Sequence, residues 1–207
     1  MNYREFQQHF EPFLVFSAAD IRKEEPSFHR QRLSEWLKKG YIRKAANTQY
    51  MFATTPLHEA TLFVVANAAY APSYVSLEMA LSYYGLIPEG VYSVTSVTSK
   101  KTRVFPPGVA RFEYRHVKPS LMWGYRLVDG GNGRVFQMAE PEKAVLDYLY
   151  LRSDLVRPSD FEALRINGEI FREKIRIETL QRYAEHFGKQ ALTRRMSMLL
   201  QSLDIIT

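Results

Sequence analysis

The side chains of this sequence that could do covalent chemistry are scattered rather than clustered. The five histidines, His9, His29, His58, His116 and His186, include no pair four residues apart and have no carboxylate at metal-ligand spacing, so no metal site is expected. Cysteine is absent, which removes disulfides, thiol nucleophiles and cysteine-based zinc sites together. Asp129 followed by Glu140-Pro141-Glu142-Lys143 superficially matches a nuclease Asp…Glu-x-Lys set, but Glu142 and Lys143 are adjacent and lack the intervening residue. Glu140-Pro141 reads instead as a helix start, where the helix dipole favours acids. The glycine-rich stretch 130–133 is followed by no Lys-Ser/Thr pair, so it is no phosphate-cradling loop, and no Gly-x-Ser-x-Gly elbow occurs. No catalytic residue and no cofactor is expected. Glu113, His116, Glu140 and Glu142 are the groups whose convergence in space would change that.

The chemistry the sequence does offer is recognition of anions and base edges. Taking Leu33 and Trp36 as inward, a helical wheel turns Gln31, Ser34, Glu35 and Lys38 outward, with Arg30 at the border. Arginine and glutamine are the residue types that contact guanine and adenine in bidentate fashion. Arg22, Lys23, Ser27, Arg43 and Lys44 flank that helix, and Arg43 and Lys44 are expected to contact phosphates. Glu24, Glu25 and Glu35 count against broad, unspecific phosphate binding. His29 precedes Leu33 by one turn and is expected in the core or at its boundary. A second basic cluster comprises Lys100, Lys101, Arg103, Arg111, Arg115, His116, Lys118 and Arg126, with Glu113 the one acid in the window. Strand alternation puts Arg111, Glu113 and Arg115 on one face and Phe112, Tyr114 and His116 on the other. This cluster could extend a DNA path, hold RNA or a phosphorylated ligand, or simply be a solvated face.

The elements that must position these groups fall into two parts. Phe6, Phe10, Phe13 and Leu14 form the stripe of a first amphipathic helix. Ser17 and Asp20 form a loose capping box for a second helix that ends before Pro26. Ser27 is placed to cap a third, about 28–39 by its apolar spacing and its stop at Gly40. Two β-prone runs, 41–44 and 49–52, then form a hairpin, so residues 1–56 have the pattern of a winged helix-turn-helix DNA-binding domain. Thr54-Thr55-Pro56 reads as a joint, and residues 57–207 read as an α+β domain. It contains a helix over 57–69, then a helix capped by Ser76 and stopped at Gly85. Strands are expected at 91–98, 111–116, 125–128 and 135–138, the last two joined by a glycine-rich turn. A helix opens at Pro141 with Val145, Tyr148 and Leu149 buried, and the rest is helical from Ser159.

Composition fits this reading. The chain has 207 residues, a hydrophobic content of 46% and a formal net charge of +6, values ordinary for a globular protein with an anionic partner. The first 16 residues contain acids and no uninterrupted apolar run, so they do not read as a signal peptide. No window approaches the ~18 apolar residues of a membrane span. A cytoplasmic protein without membrane association is expected.

Three segments carry a resemblance. Tyr74–Arg103 (YVSLEMALSYYGLIPEGVYSVTSVTSKKTR), Phe112–Pro119 (FEYRHVKP) and Ala139–Leu151 (AEPEKAVLDYLYL) resemble the core of the AbiEi family, antitoxins of type IV toxin–antitoxin systems that act in abortive infection, a form of phage defence. The resemblance implies an N-terminal winged helix-turn-helix followed by a mixed α/β C-terminal antitoxin domain. It implies a non-enzymatic transcriptional regulator that binds duplex DNA at promoter inverted repeats and represses its own operon. It further implies that the C-terminal domain counteracts a nucleotidyltransferase-like toxin without a stable complex. From their excess of positive charge, Lys100, Lys101, Arg103, Arg111, Arg115 and Lys118 are expected to serve antitoxicity or to form a second basic surface. The alternatives are an orphan DNA-binding regulator with no toxin partner, or an RNA- or protein-interaction module.

Overall fold

Ten buried side chains from the first 52 residues, seven of them aromatic, organise the start of the chain. The computed structural model describes residues 1–88 and 90–205. Helices α1 (Tyr3–Phe10), α2 (Ala18–Glu24) and α3 (Gln31–Lys38) surround the cluster and are followed by a hairpin, β1 (Ile42–Ala46) and β2 (Gln49–Phe52). Phe6, Phe10, Phe16, Phe28, Trp36 and Phe52 supply most of that core, with Phe6 stacked on Trp36 at 4.4 Å. Each such burial contributes about 1.5–3 kcal/mol relative to exposure. Capping boxes fix the first two helices, Asn2 with Glu5 and Ser17 with Asp20.

Several local expectations need correction here. α1 stops at Phe10, so Phe13 leaves the apolar stripe and is 55% exposed, while Leu14 buries in a different cluster. Ser27 does not cap the third helix: it lies exposed in a turn, and α3 starts later, after Arg30, with no side-chain cap. His29, expected inside, is exposed, because residue 29 precedes the helix and does not share its face with Leu33. The inward residue of this turn is Phe28.

The remainder is α+β around a mixed six-stranded sheet. Its elements are α4 (Glu59–Ala69), β3 (Ser73–Val75), α5 (Leu77–Tyr83), β4 (Ser93–Thr98), β5 (Arg103–Phe105), β6 (Arg111–His116), β7 (Tyr125–Gly131), β8 (Arg134–Ala139), α6 (Pro141–Leu151), α7 (Pro158–Glu162), α8 (Gly168–Lys174), α9 (Ile177–Phe187) and α10 (Gln190–Ser202). Strand order is β5-β6-β4-β3-β8-β7, with β4–β6 and β3–β8 parallel and the other neighbours antiparallel. The short strands β3 and β5 are absent from the sequence reading. Ser73–Val75 is fully buried on both faces and too short to show a period, and β5 is an exposed edge. Ser76 does occupy the N-cap position of α5, but its hydroxyl donates to Asp147 instead of closing a cap.

The hairpin belongs to both halves. Register pairs Ile42 with Phe52 and Lys44 with Tyr50 on one face, and Arg43 with Met51 on the other. Ile42, Tyr50 and Phe52 enter the aromatic cluster, whereas Ala45, Ala46 and Met51 enter the larger core of the sheet and its helices. Two contacts lock it there: Asn47 donates to the Ala69 carbonyl at 3.1 Å, and the Val109 amide donates to Ala45 at 3.1 Å. Gly108 permits the second approach, since a Cβ on it would fall 2.2 Å from the Ala45 carbonyl oxygen.

Candidate nucleic-acid interface

Burial of Leu33 and Trp36 sets the rotation of α3, so Gln31, Ser34, Glu35 and Lys38 are exposed on its outer side as the wheel predicts. Arg30 occupies the N-cap position of α3, exposed and without a side-chain cap bond. Arg22 and Arg30 share a cleft of about 250 Å³ with Ala18, Thr48 and Tyr50, so α2, the start of α3 and the hairpin tip present their polar groups together. The Arg22 guanidinium donates to the Phe28 carbonyl at 3.3 Å, which braces the α2–α3 turn. Lys44 is exposed and carries its ammonium 4.7 Å from the centre of the Tyr50 ring. Lys23 is exposed and pairs with Asp20 at 3.1 Å. Burial raises the Asp20 carboxyl, but hydrogen bonds from Ser17 and Lys23 outweigh it and hold the group below its ordinary range.

Arg43 behaves differently from its expected role. It lies on the Met51 face of the hairpin, half-buried, and donates to the Thr55 carbonyl, so it ties the hairpin to the segment leading into α4. Alternation along β1 puts Arg43 with Ala45 and Met51 on the face that packs against the larger core, opposite Ile42 and Lys44. It is not on the surface that Arg22, Arg30 and Lys44 share.

The second basic cluster is split by the sheet order. Arg103, Arg111 and Arg115 lie on β5 and β6 at one edge, while Arg126 lies on β7 at the opposite edge. Lys100, Lys101, Arg103, Arg111, Arg115 and Lys118 are all exposed. Phe112 and Tyr114 are buried on the other face of β6, as alternation requires; His116 shares their parity but ends the strand exposed, its Nδ1 2.9 Å from the Lys100 carbonyl oxygen. Arg111 pairs with Glu113 at 2.7 Å. The turn before β5 is held near the hairpin, because Tyr70 donates to the Lys101 carbonyl at 3.3 Å and the preceding Ala69 carbonyl accepts from Asn47. Lys100 and Arg103 lie over the rings of Tyr70 and Phe105 at 5.2 and 4.9 Å.

Glu113, His116, Glu140 and Glu142 do not converge: the first two are on β6, and the last two open α6 after β8, which β4 and β3 separate from β6 in the sheet. Among the described residues no group of three or more His, Asp or Glu side chains is arranged to hold a metal ion. What the sequence reading missed is a buried polar network. Lys143 and Asp147 on α6 have no exposed side-chain surface; Tyr74 and Ser76 donate to Asp147 at 2.9 Å each, and Lys143 donates to Asp147 and to Tyr74. The i, i+4 spacing of Lys143 and Asp147 in an otherwise apolar helix was the available signal. No helix among the described residues is long and apolar enough to cross a membrane.

No known protein family and no characterised protein matches this sequence.

Proposed function

We propose that this chain is a DNA-binding antitoxin that represses its own type IV toxin–antitoxin operon and counteracts a nucleotidyltransferase-like toxin. The observation that carries the reading is the outer face of α3. Its apolar stripe is fixed in an aromatic core, Gln31, Ser34 and Lys38 face solvent, and Arg22, Arg30 and Lys44 gather beside it. Three helices and a hairpin in this order fit a winged helix-turn-helix, with α3 in the major groove and the surrounding cations on phosphates. The hairpin departs from a free wing, because its inner face is packed into the sheet domain. Its other face sends Ile42, Tyr50 and Phe52 into the aromatic cluster, so its tip and the exposed Lys44 side chain are what is left for nucleic acid. The hydrogen-bonded path from Asn47 through Ala69 and Tyr70 to Lys101 places the second basic surface next in line. That surface is assigned to toxin neutralisation or to a longer DNA path.

The test is a fluorescence-anisotropy titration of the chain against duplexes tiled over its own promoter, at several salt concentrations. A preferred duplex with steep salt dependence is expected. Absence of binding at low salt refutes the DNA reading. Rescue of cells expressing the product of the adjacent gene tests the antitoxin part.

A further inference from the structure

The face built by α9 and the start of α6 belongs neither to α3 nor to the β5–β6 edge. Thr179, Arg182, Tyr183 and His186 recur at positions i, i+3, i+4 and i+7 of α9 and therefore line one stripe. Two concavities share the Arg182 and Tyr183 wall of this stripe. One, of about 560 Å³, is walled by Trp123, Tyr183 and His186. The other, of about 210 Å³, is walled by Arg126, Arg176 and Arg182 over Glu140 and Glu142.

Their chemistries are complementary. The Trp123 ring meets Tyr183 at 4.9 Å and His186 at 4.7 Å, both edge to face, so the compartment is a corner of flat rings. A planar heterocycle laid on one ring there meets the edge of another, an arrangement aromatic groups favour. Next door, three guanidiniums line one small polar cleft, and among the described residues none of them forms an ion pair. Two carboxylates share that cleft, Glu140 accepting from the Tyr183 hydroxyl at 2.6 Å and Glu142 from the Arg176 amide at 3.0 Å, and the three guanidiniums outnumber them. Arg126 hydrogen-bonds the Tyr84 hydroxyl and Arg182 lies over the Tyr183 ring at 5.7 Å. A guanidinium carries five N–H donors, however, and those that remain are natural partners of phosphate oxygens, which arginine grips in bidentate fashion. Stacking contributes without regard to base identity.

We propose that this double cavity binds a nucleoside phosphate, with the base against Trp123, Tyr183 and His186 and the phosphates on Arg126, Arg176 and Arg182. The combined space is of the size small-molecule sites occupy. The ligand is a free mononucleotide: one aromatic compartment adjoins one arginine-lined cleft across the shared Arg182 and Tyr183 wall, which suits a single base and its own phosphates. The proposal does not rest on the DNA reading, and either can fail alone.

Trp123 is one of two tryptophans, so Trp36→Phe leaves it as the single indole reporter. That variant is titrated with the four ribonucleoside triphosphates in magnesium buffer, with adenosine and with pyrophosphate. Calorimetry on the unaltered chain covers the case in which Trp36→Phe fails to fold. Saturable triphosphate binding that quenches Trp123 is expected, with the nucleoside and pyrophosphate each at least about tenfold weaker. Arg182→Ala and Arg176→Ala, both at exposed positions, are expected to weaken binding by about tenfold each without moving the melting temperature. No saturable binding of any triphosphate at millimolar concentration overturns the proposal. So does pyrophosphate binding as tight as a triphosphate, indifference to both arginine variants, or binding of oligoribonucleotides alone.

Discussion

Lys143 and Asp147 face each other one helical turn apart on α6, with no exposed side-chain surface on either, and Tyr74 of β3 and Ser76 at the N-cap of α5 complete the network. Burial lowers the Lys143 ammonium and raises the Asp147 carboxyl and the Tyr74 phenol from their ordinary values, partly offset for the first two by their own pairing. Gly124 lies against the Lys143 side chain, where an added Cβ would fall 3.1 Å from its carbons, and the rings of Trp123 and Phe187 are 5.1 and 4.8 Å from its nitrogen. Removing one partner strands a charge in this box. Asp147→Ala is therefore expected to cost about 3–5 kcal/mol, whereas Lys143→Met with Asp147→Leu costs far less than the sum of the singles. A double-mutant cycle by urea denaturation reads this directly, and additive costs would show that the pair is not coupled.

For nucleic acid, the prediction separates three positions. Gln31→Ala is expected to lose about 1–3 kcal/mol on the preferred duplex and to relax preference at one base pair. Arg22→Ala is expected to weaken all duplexes alike and to reduce the salt slope by about one phosphate. Arg43→Ala should leave the slope unchanged and lower the melting temperature instead, since its guanidinium is spent on the Thr55 carbonyl. An Arg43 variant that changed the salt slope would put that residue back on the DNA face.

Gly108 makes a sharper test of how the two halves are joined. A side chain there meets the Ala45 carbonyl carbon and oxygen, which are backbone atoms that cannot rotate away. Gly108→Val is expected to destabilise the chain by about 1–3 kcal/mol and to release the hairpin from the β5–β6 loop. Hydrogen exchange at the Val109 amide, which donates to Ala45, should accelerate selectively. Unchanged protection of that amide would mean that the loop adapts without separating.

Much of this architecture is legible in single residues. The Ser17–Asp20 capping box, Pro141 at a helix start, the alternation of Arg111, Phe112, Glu113 and Tyr114, and the outward set on α3 all follow from local rules that tertiary contacts did not override. The errors share a cause. Arg43 and Ser76 are polar residues whose partners lie 12 and 71 positions away in sequence, so no window around them contains the group that turns them inward; Lys143 has Asp147 one turn away, but Tyr74, which completes its network, is 69 positions distant. Arg126 was grouped with Arg103 and Arg115 because they are near in sequence, yet strand order sends β7 to the far edge of the sheet. The cleft it lines with Arg176 and Arg182 joins segments 50 residues apart, which periodicity cannot connect.

Acid sensitivity should localise at α7. The Asp160 carboxyl accepts from the Arg157 and Val156 amides at 2.8 and 3.0 Å and pairs with the Arg157 guanidinium, which together depress it to about 2. A depressed carboxylate contributes stability that is present above its unfolded value of about 4 and is lost as pH falls toward the folded one. Melting temperature should thus fall between about pH 4 and pH 2 partly on account of this group. Asp160→Asn is expected to flatten the profile in that window and to leave the stability above it lower and pH-independent with respect to this site. Identical acid limbs for the two proteins would assign the sensitivity elsewhere.

The β5–β6 edge carries the last prediction, which concerns what its cations are for. Lys101, Arg103 and Arg115 are exposed, and none of them is ion-paired among the described residues; Arg111, by contrast, is engaged with Glu113. Exposed charges of this kind contribute within about 0.5 kcal/mol to stability, so replacing all three by Ala should shift the melting temperature by only a few degrees. Arg103 has the most to lose structurally, because its guanidinium covers the Phe105 ring at 4.9 Å; Arg103→Lys keeps a cation and an apolar stem there and serves as its control. If the edge serves toxin neutralisation, the folded triple variant still binds promoter duplex through α3 but no longer rescues cells expressing the adjacent toxin gene. If it extends the DNA path, rescue persists while the salt slope falls by up to about three phosphates. Full rescue with an unchanged salt slope would reduce the cluster to a solvated face, and the proposed antitoxin role would have to be sought on another surface.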